Sequence, residues 1–518
     1  MATSKINGIH RYGESIYASS RAYCPGEQAY FNYIYRRHID ASYEKMYYML
    51  ASDTRPRFSD FEKFTFVVDG ESKMAYTNNR GYIWGVDNPP IGPVVSAGAA
   101  GSPSGTYQCY VTFYVVFGEN EKVVETGPSP VGAVTVTSQK ISWARIPICR
   151  FVGDEITIYR RLWRTVSGDP YLVTTIRDNY TTTFTDNVTD AVLQVSTALG
   201  TEGYSTLPSG QGVVDLAEYL KRMFAIKENK LYWSEPYSPF SFKTTSNVTV
   251  SKDFENLVGI INWGDQMYMV SAEEWYRLQG SDPTTWAIKR TFTDNGIINR
   301  HTMAKTRYGI VGLWNDGIYL FDGNTTKNIT DKILGKEFFQ DLDDSTVCWS
   351  TFDGMRYWFY YASSGSTIDS CVILDFSLHP EYRVYHDNWV ADAHEFHKVS
   401  NHHYLAKNGY EYSEGGTETI PTIMTSGDRA FGAITKRKCL RYLYYDIDTN
   451  GKDVTISILV DGTSVQELTL NTSTRQWQRS EQLIASEGYR FGVQVECADS
   501  QDLRIYAPWA LEADPVGE

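Results

Sequence analysis

The sequence predicts an all-β chain: a β-propeller with an inserted immunoglobulin/fibronectin III-like sandwich and a C-terminal β module. The first observation behind this is a recurring hairpin signature, in which Asn or Asp stands three or four places before a tyrosine set in an apolar strand. The copies are Asn79-Arg80-Gly81-Tyr82, Asn229-Lys230-Leu231-Tyr232, Asp265-Gln266-Met267-Tyr268, Asp316-Gly317-Ile318-Tyr319, Asp353-Gly354-Met355-Arg356-Tyr357 and the looser Asn408-Gly409-Tyr410-Glu411-Tyr412. Asn-Gly and Asp-Gly pairs tolerate the positive φ angles of tight hairpins, and the aromatic and β-branched residues after them suit a half-buried pleated surface. The second observation is spacing. From Tyr232 onward the tyrosines are 36, 51, 38 and 55 residues apart, close to the roughly 40–50 residues of a four-stranded blade. The step from Tyr82 to Tyr232 is 150 residues, and it returns to range if about 100 residues form an inserted module.

Residues 1–95 read as an N-terminal arm with the first propeller strands. A helix is expected around Ala41–Ala51, then strand-like Phe64-Thr-Phe-Val-Val-Asp-Gly and Tyr82-Ile-Trp-Gly. Residues 96–203 read as the inserted sandwich. Pro89-Pro90 and the small-residue run Ser96 to Gly105 look like a flexible entry. Alternating strands then follow at short intervals from Thr106 to Asp186, which is sandwich spacing. Residues 204–418 carry the blades, with a short helix expected at Leu216-Ala-Glu-Tyr-Leu-Lys. Residues 419–518 form a second sandwich or a closing β layer, patterned by Val454-Thr-Ile-Ser-Ile-Leu-Val ahead of Asp461-Gly462 and by Tyr489-Arg-Phe-Gly-Val-Gln-Val-Glu.

A chain of 518 residues exceeds the usual size of one core, and its 42% hydrophobic content is enough to build several. The 38 tyrosines suit strands with one wet edge as well as large contact surfaces. No apolar run approaches the ~20 residues of a membrane span, and the first residues lack the apolar stretch of a signal peptide, so synthesis in a cytoplasm is expected. The seven cysteines are scattered without C-x-x-C spacing, which argues against a disulfide framework and a zinc site. In that setting the six Asn-x-Ser/Thr sequences are ordinary turn-and-strand composition rather than glycan acceptors. A net charge of −14 opposes tight nucleic-acid binding, because that affinity comes from cations that release counterions. The sign fits a protein that lets DNA pass, and equally an ordinary soluble protein.

Catalytic signatures are missing. There is no Gly-rich phosphate loop, no H-E-x-x-H and no G-x-S-x-G. His386, His394, His397, His402 and His403 are the densest histidine region, but strand alternation puts His394 and His397 on opposite faces. Acidic groups at Asp341, Asp343 and Asp344 and at Glu273-Glu274 read as solvated loops, as does the basic run Lys436-Arg437-Lys438 with Arg441 at a strand edge. The expectation is therefore no catalytic residue, no cofactor, no metal and no enzyme.

Several strings resemble blade strands of the tail nozzle or tail tubular protein B (tail hub) family of short-tailed bacteriophages. They are Arg222-Met-Phe-Ala-Ile-Lys-Glu-Asn-Lys-Leu-Tyr-Trp-Ser-Glu-Pro, Gly264-Asp-Gln-Met-Tyr-Met-Val and Gly309-Ile-Val-Gly-Leu-Trp-Asn-Asp-Gly-Ile-Tyr-Leu-Phe-Asp-Gly. Ile329-Thr-Asp-Lys-Ile, Val372-Ile-Leu-Asp-Phe and Tyr82-Ile-Trp-Gly-Val-Asp-Asn-Pro-Pro continue the likeness, which covers roughly residues 64–415; the first 60 residues depart from the group. The resemblance implies a structural virion protein of the tail, a cyclic homo-oligomer, expected to be a hexamer, below portal and adaptor. It would carry tail fibres or spikes and let double-stranded DNA through without specific binding. Asp341, Asp343 and Asp344 are the candidate channel-lining residues. A propeller glycan hydrolase, or a glycan-binding adhesin of a virion tail, is the alternative.

Overall fold

The computed structural model describes residues 6–12, 15–24, 29–37, 43–50, 55–77, 80–117, 122–150, 156–200, 204–205, 212–291, 293–331, 333–342, 345–378, 384–387, 390–397, 402–407, 410–413, 422–425, 437–480, 484–498, 504–505 and 509–516. Seven antiparallel sheets among these residues follow one another around a ring. They are blade 1 (residues 6–50), blade 2 (57–83), blade 3 (213–249), blade 4 (257–290), blade 5 (304–328), blade 6 (349–387) and blade 7 (393–413). Each blade is a meander whose first strand is its inner edge. Ile6–Tyr12 is packed beside Ala393–His397, Arg57–Phe61 beside Val213–Tyr219, and Val213–Tyr219 beside Leu257–Trp263; the order continues through blades 5, 6 and 7. His10 of blade 1 closes the remaining join by stacking on Phe58 of blade 2, with ring centroids 5.0 Å apart.

Apolar faces of neighbouring blades bury one another. Tyr17, Ile34 and Met46 of blade 1 share a core with Val67, Met74 and Tyr76 of blade 2. Phe224, Ile226 and Leu231 of blade 3 pack with Ile260, Met267, Met269 and Leu278 of blade 4. Ile6, Ile9, Ile16 and Ala18 of blade 1 meet Ala393, Tyr404 and Ala406 of blade 7. A closed ring removes the inner sheet edges from solvent, which is how such a fold avoids edge-to-edge aggregation.

The uneven tyrosine spacing has a structural cause. Tyr232, Tyr319 and Tyr412 sit on the third strands of blades 3, 5 and 7, whereas Tyr268 and Tyr357 sit on the second strands of blades 4 and 6. Steps from third strand to second are short, and steps from second to third are long, although each of blades 3 to 7 contributes one such tyrosine. The turn residues Asn79, Asn408 and Gly409 lie outside the described residues. Gly354 has φ of 98°, as the hairpin signature requires. Gly317 is not in the left-handed region; a Cβ there would lie 2.4 Å from Nδ2 of Asn328, so that glycine serves close approach instead of turn geometry.

Three sequence expectations are corrected. The helix around residues 41–51 is the strand Tyr43–Leu50, and the N-terminal arm is a complete four-stranded blade. Its Tyr-rich sequence pairs with Ala29–Arg37, and sheet pairing overrides a local helical pattern. The helix expected at Leu216–Lys221 is the strand Val213–Tyr219 ending in a tight turn, with φ of 48° at Leu220 and 58° at Lys221. The small-residue run at 96–105 is no flexible linker: Val94–Ala100 is a strand paired with Gln139–Ala144. A Cβ on Gly98 would lie 2.8 Å from Ser142 Oγ, and one on Gly101 2.5 Å from Lys140 Cγ, so small residues let that strand lie against its partner.

The inserted module stacks two sheets, one built around Gly105–Phe117 and Ile156–Val166, the other ordered Phe184–Asp186, Gln139–Ala144, Val94–Ala100. Tyr107, Val111, Val134, Ile141, Trp143 and Leu162 form its core. Its far end is not separate from the ring. Phe113, Val115, Val124 and Cys149 join the cluster of Phe64, Phe66 and Tyr82 of blade 2, Trp84 just after it, and Phe240 and Phe242 between the third and fourth strands of blade 3.

A second compact unit comprises residues 386–389 and 414–518. It has one sheet centred on Val454–Val460 and Phe491–Cys497, and another built on Lys438–Asp448. Leu440, Leu443, Ile447, Ile456, Ile458 and Phe491 fill the space between them.

Candidate functional site

First strands place polar side chains at the inner edge of the ring. On Ile6–Tyr12, Ile9 faces the blade 7 core, so alternation turns His10 to the other face. There Nε2 of His10 lies 2.9 and 3.0 Å from the two Asp60 oxygens. Its Nδ1 lies 4.0 Å from Glu395 Oε1. Blades 1, 2 and 7 thus set one imidazole between two carboxylates, at side-chain exposures of 17%, 29% and 31%.

Three guanidinium groups share this inner edge; the Arg57 charge acts on Glu395, and Arg55, Arg57 and Arg300 all act on His301. Arg57 Nε lies 3.1 Å from Asp215 Oδ1 of blade 3, and the buried Asp215 also accepts from the Leu216 and Ile260 backbone N–H groups. Arg55 donates to the Asp392 carbonyl at 2.6 Å and lies 4.0 Å over the Trp349 ring. Arg300 and His301 enter from the 3-10 turn Arg300–Thr302 before blade 5, whose Asn299 cap accepts from the His301 N–H at 2.9 Å. Arg300 Nε and His301 Nδ1 are enclosed without a hydrogen-bond partner among the described residues.

This crowding moves the titrations apart. Burial pushes Glu395 up to about 7; the neighbouring Asp60 adds to the rise, while His10 and Arg57 oppose it. Burial acts to lower His10, but the Asp60 hydrogen bond and the Asp60 and Glu395 charges outweigh it and leave its pKa raised. Burial holds Arg55 down to about 9 against the pull of Asp392. Burial, with Arg300, Arg57 and Arg55 nearby, keeps His301 well below the ordinary imidazole range, and therefore neutral near pH 7. Glu395 is therefore a group that changes charge near neutrality, with the His10 ring 4.0 Å away and the Arg57 charge favouring its anion.

Asp341 caps the short helix Lys336–Gln340 between blades 5 and 6 and is exposed; Asp343 and Asp344 lie outside the described residues. Phe339 of that helix is buried in the core of blades 5 and 6. The His397 side chain lies outside what the structure describes, and His394 has other partners. His394 is buried between blades 6 and 7, 2.9 Å from the Tyr360 hydroxyl and 2.7 Å from His403 Nδ1. Glu274, read as a solvated acid, is 3% exposed and lies 3.1 Å from Lys252 and 2.5 Å from Arg290. Of the basic run, Lys436 lies outside the described residues, Lys438 is buried, and Arg441 lies 2.7 Å from Asp514.

None of the axial residues was singled out from the sequence. His10, Arg55, Arg57, Asp60, Asp215, Arg300, His301 and Glu395 span 385 positions with no local motif. Their common signal is position on or beside the first strand of a blade, which becomes visible only once the blade phase is known. No group of His, Cys, Asp and Glu side chains among the described residues has the geometry of a metal site. No helix among them is long and apolar enough to cross a membrane.

No family model and no curated protein matches the chain significantly. Among solved structures it is similar to the extracellular domain of the putative one-component system BT4673 from B. thetaiotaomicron, at 8% identity and TM-score 0.27, over 98% of this chain and 80% of that one. It is similar to apo AztD from Citrobacter koseri at 10% identity and TM-score 0.29, over 72% of this chain and 83% of that one. It is also similar to PorZ, a surface component of the type-IX secretion system of Porphyromonas gingivalis, at 9% identity and TM-score 0.29, over 99% of this chain and 75% of that one.

Proposed function

We propose that this chain is a structural protein of a bacteriophage tail, a nozzle or hub whose copies close into a ring below portal and adaptor. The observation that carries the reading is the order of modules along one chain: two blades, an inserted sandwich sharing a core with the second, five further blades, and a C-terminal β unit. That order accompanies the strand-level resemblance of residues 64–415 to the nozzle group. Closed blades are stiff and keep their inner strand edges covered, which suits a wall under genome pressure. The DNA path in this reading is the lumen between copies, because the inner edge of a single propeller is occupied by the His10, Asp60 and Glu395 side chains and their neighbours. Exposed acidic groups such as Asp341 would face that lumen, and the −14 charge would keep DNA sliding.

The test is electron microscopy of the purified chain, alone and mixed with a portal–adaptor complex. The expected result is a cyclic ring, sixfold in this proposal, added at the adaptor end. A chain that stays monomeric and does not join the complex overturns it.

A second reading, a propeller glycan hydrolase, is favoured by one observation: Glu395, pushed up to about 7 by burial, has the Asp60 carboxyl group as a neighbour, so two carboxyl groups face one another at the inner edge. Turnover of a polysaccharide that disappears in Glu395→Gln would establish it.

A further inference from the structure

Blades 3 and 4 leave a cleft of about 590 Å³ between their outer strands, away from the first-strand edge that carries His10 and Glu395. Two indoles form part of its wall. Trp233 ends the third strand of blade 3 and Trp286 precedes the last strand of blade 4; their rings meet edge to face, 5.0 Å apart at 83°. Four charged side chains line the same cleft. Arg222 is fixed by donating to the Ser234 carbonyl at 2.7 Å, and its guanidinium carbon lies 5.8 Å from the centre of the Trp286 ring. Lys243 Nζ lies 3.7 Å from Glu235 Oε1. Asp282 spends Oδ1 on Thr284, accepting from its N–H and its hydroxyl at 2.9 and 2.8 Å, which leaves Oδ2 available. The indole N–H of Trp286 is enclosed and has no hydrogen-bond partner among the described residues, so it is the ring faces of the two indoles and the four charged side chains that the cleft offers.

This combination has a specific chemical complement. The C–H-rich face of a pyranose ring is apolar and lies against an indole, while the hydroxyls around its rim require fixed donors and acceptors at the same depth. Two cations and two carboxylates give the cleft no net formal charge, and the whole chain is at −14, which disfavours a polyanion. Each carboxylate oxygen accepts more than one hydrogen bond, so Glu235 and Asp282 retain capacity beyond their internal partners. We infer that the cleft between blades 3 and 4 binds a neutral oligosaccharide, with Trp233 and Trp286 as the platform and Arg222, Glu235, Lys243 and Asp282 holding the hydroxyl rim. The inference concerns the isolated chain and does not depend on assembly into a tail.

The experiment is a screen of the full-length chain on an array of neutral and acidic oligosaccharides, followed by calorimetry with the strongest neutral binder. Binding of a neutral glycan is expected. The double variant Glu235→Gln/Asp282→Asn should weaken it at least tenfold without a change in thermal unfolding, and Trp286→Leu should also weaken it at least tenfold through loss of the ring face, with a lowered melting temperature because Trp286 packs against Phe224 as well. An array signal confined to acidic sugars, no signal at all, or unchanged affinity in the double variant overturns the inference. Ring assembly on a portal–adaptor complex is read separately, so either idea can fail alone.

Discussion

The inserted sandwich and the inner edge of the propeller both bury charge, and they handle it in opposite ways. In the sandwich, Arg164 and Asp186 are each fully buried, 2.8 Å apart, and linked to one another across the two sheets. That contact is off line for a hydrogen bond at Nε, and Arg164 instead donates to Asp190 at 2.7 Å and to the Val188 carbonyl at 2.6 Å. Three of these partners lie within the five residues 186–190, so the whole arrangement belongs to one corner of a small module. At the propeller edge the charges come from blades 1, 2, 3 and 7 and from the turn before blade 5. In the sandwich a single buried guanidinium is held by two carboxylates and a carbonyl from one corner, an architectural tie. The propeller charges are set against each other, so that groups such as Glu395 titrate near neutrality.

The largest effect is expected at this buried tie. Arg164→Met leaves Asp186 buried without its ion partner, and urea unfolding should show a loss of about 3–5 kcal/mol. A loss below ~1 kcal/mol would mean that the pair is dispensable and would erase the contrast with the propeller edge.

The intermediate effect belongs to the propeller edge and depends on pH. Glu395 has its folded pKa raised to about 7 from 4.5, so between those values the folded chain holds a proton that the unfolded chain has lost, and stability falls as pH rises. His10, also raised, contributes stability that is complete below its ordinary 6.5 and is lost as pH rises through its folded value. Both therefore favour the acid side. Glu395→Gln should stabilise the protein by roughly 1–3 kcal/mol at pH 8 and hardly at all at pH 4, flattening the profile. Melting curves of the variant and wild type that run parallel from pH 4 to pH 8 would refute this assignment.

The smallest effects separate two glycines that look alike in sequence. Gly354→Val forces φ of 98° on a β-branched residue with open space around it, a cost of roughly 1–3 kcal/mol from backbone strain alone. Gly317→Ala meets only the Asn328 amide and should cost about 1 kcal/mol or less, recovered in part by Asn328→Ala, which makes room for the new methyl group. Equal losses with no recovery would show that the two turns work in the same way.

These glycines mark the limit of what was legible. Asp316-Gly317 and Asp353-Gly354 both signal a hairpin, and hairpins are there; whether the glycine supplies a positive φ or a missing Cβ depends on the neighbouring strand. In the same way, Tyr43–Leu50 and Val213–Tyr219 look helical in isolation and become strands because a neighbour offers its backbone hydrogen bonds. Asp341 is exposed at the end of a short helix, and Asp343 and Asp344 lie outside the described residues; the propeller-edge charges were not legible, because each is a lone charged residue with no local motif around it.

Sequence alone determined the β character of this protein, its repeated hairpins and the presence of an inserted module, because turn chemistry and the two-residue alternation of strands are local properties. Only the tertiary structure decided that seven sheets close into a ring and that the sandwich shares its core with blade 2. It also brought His10, Asp60 and Glu395 to one point, and Trp233 and Trp286 to another. The physical reason is that ring closure is a long-range constraint: it fixes which first-strand residues share the inner edge and which outer strands leave a cleft, and no stretch of sequence shorter than a blade carries that information.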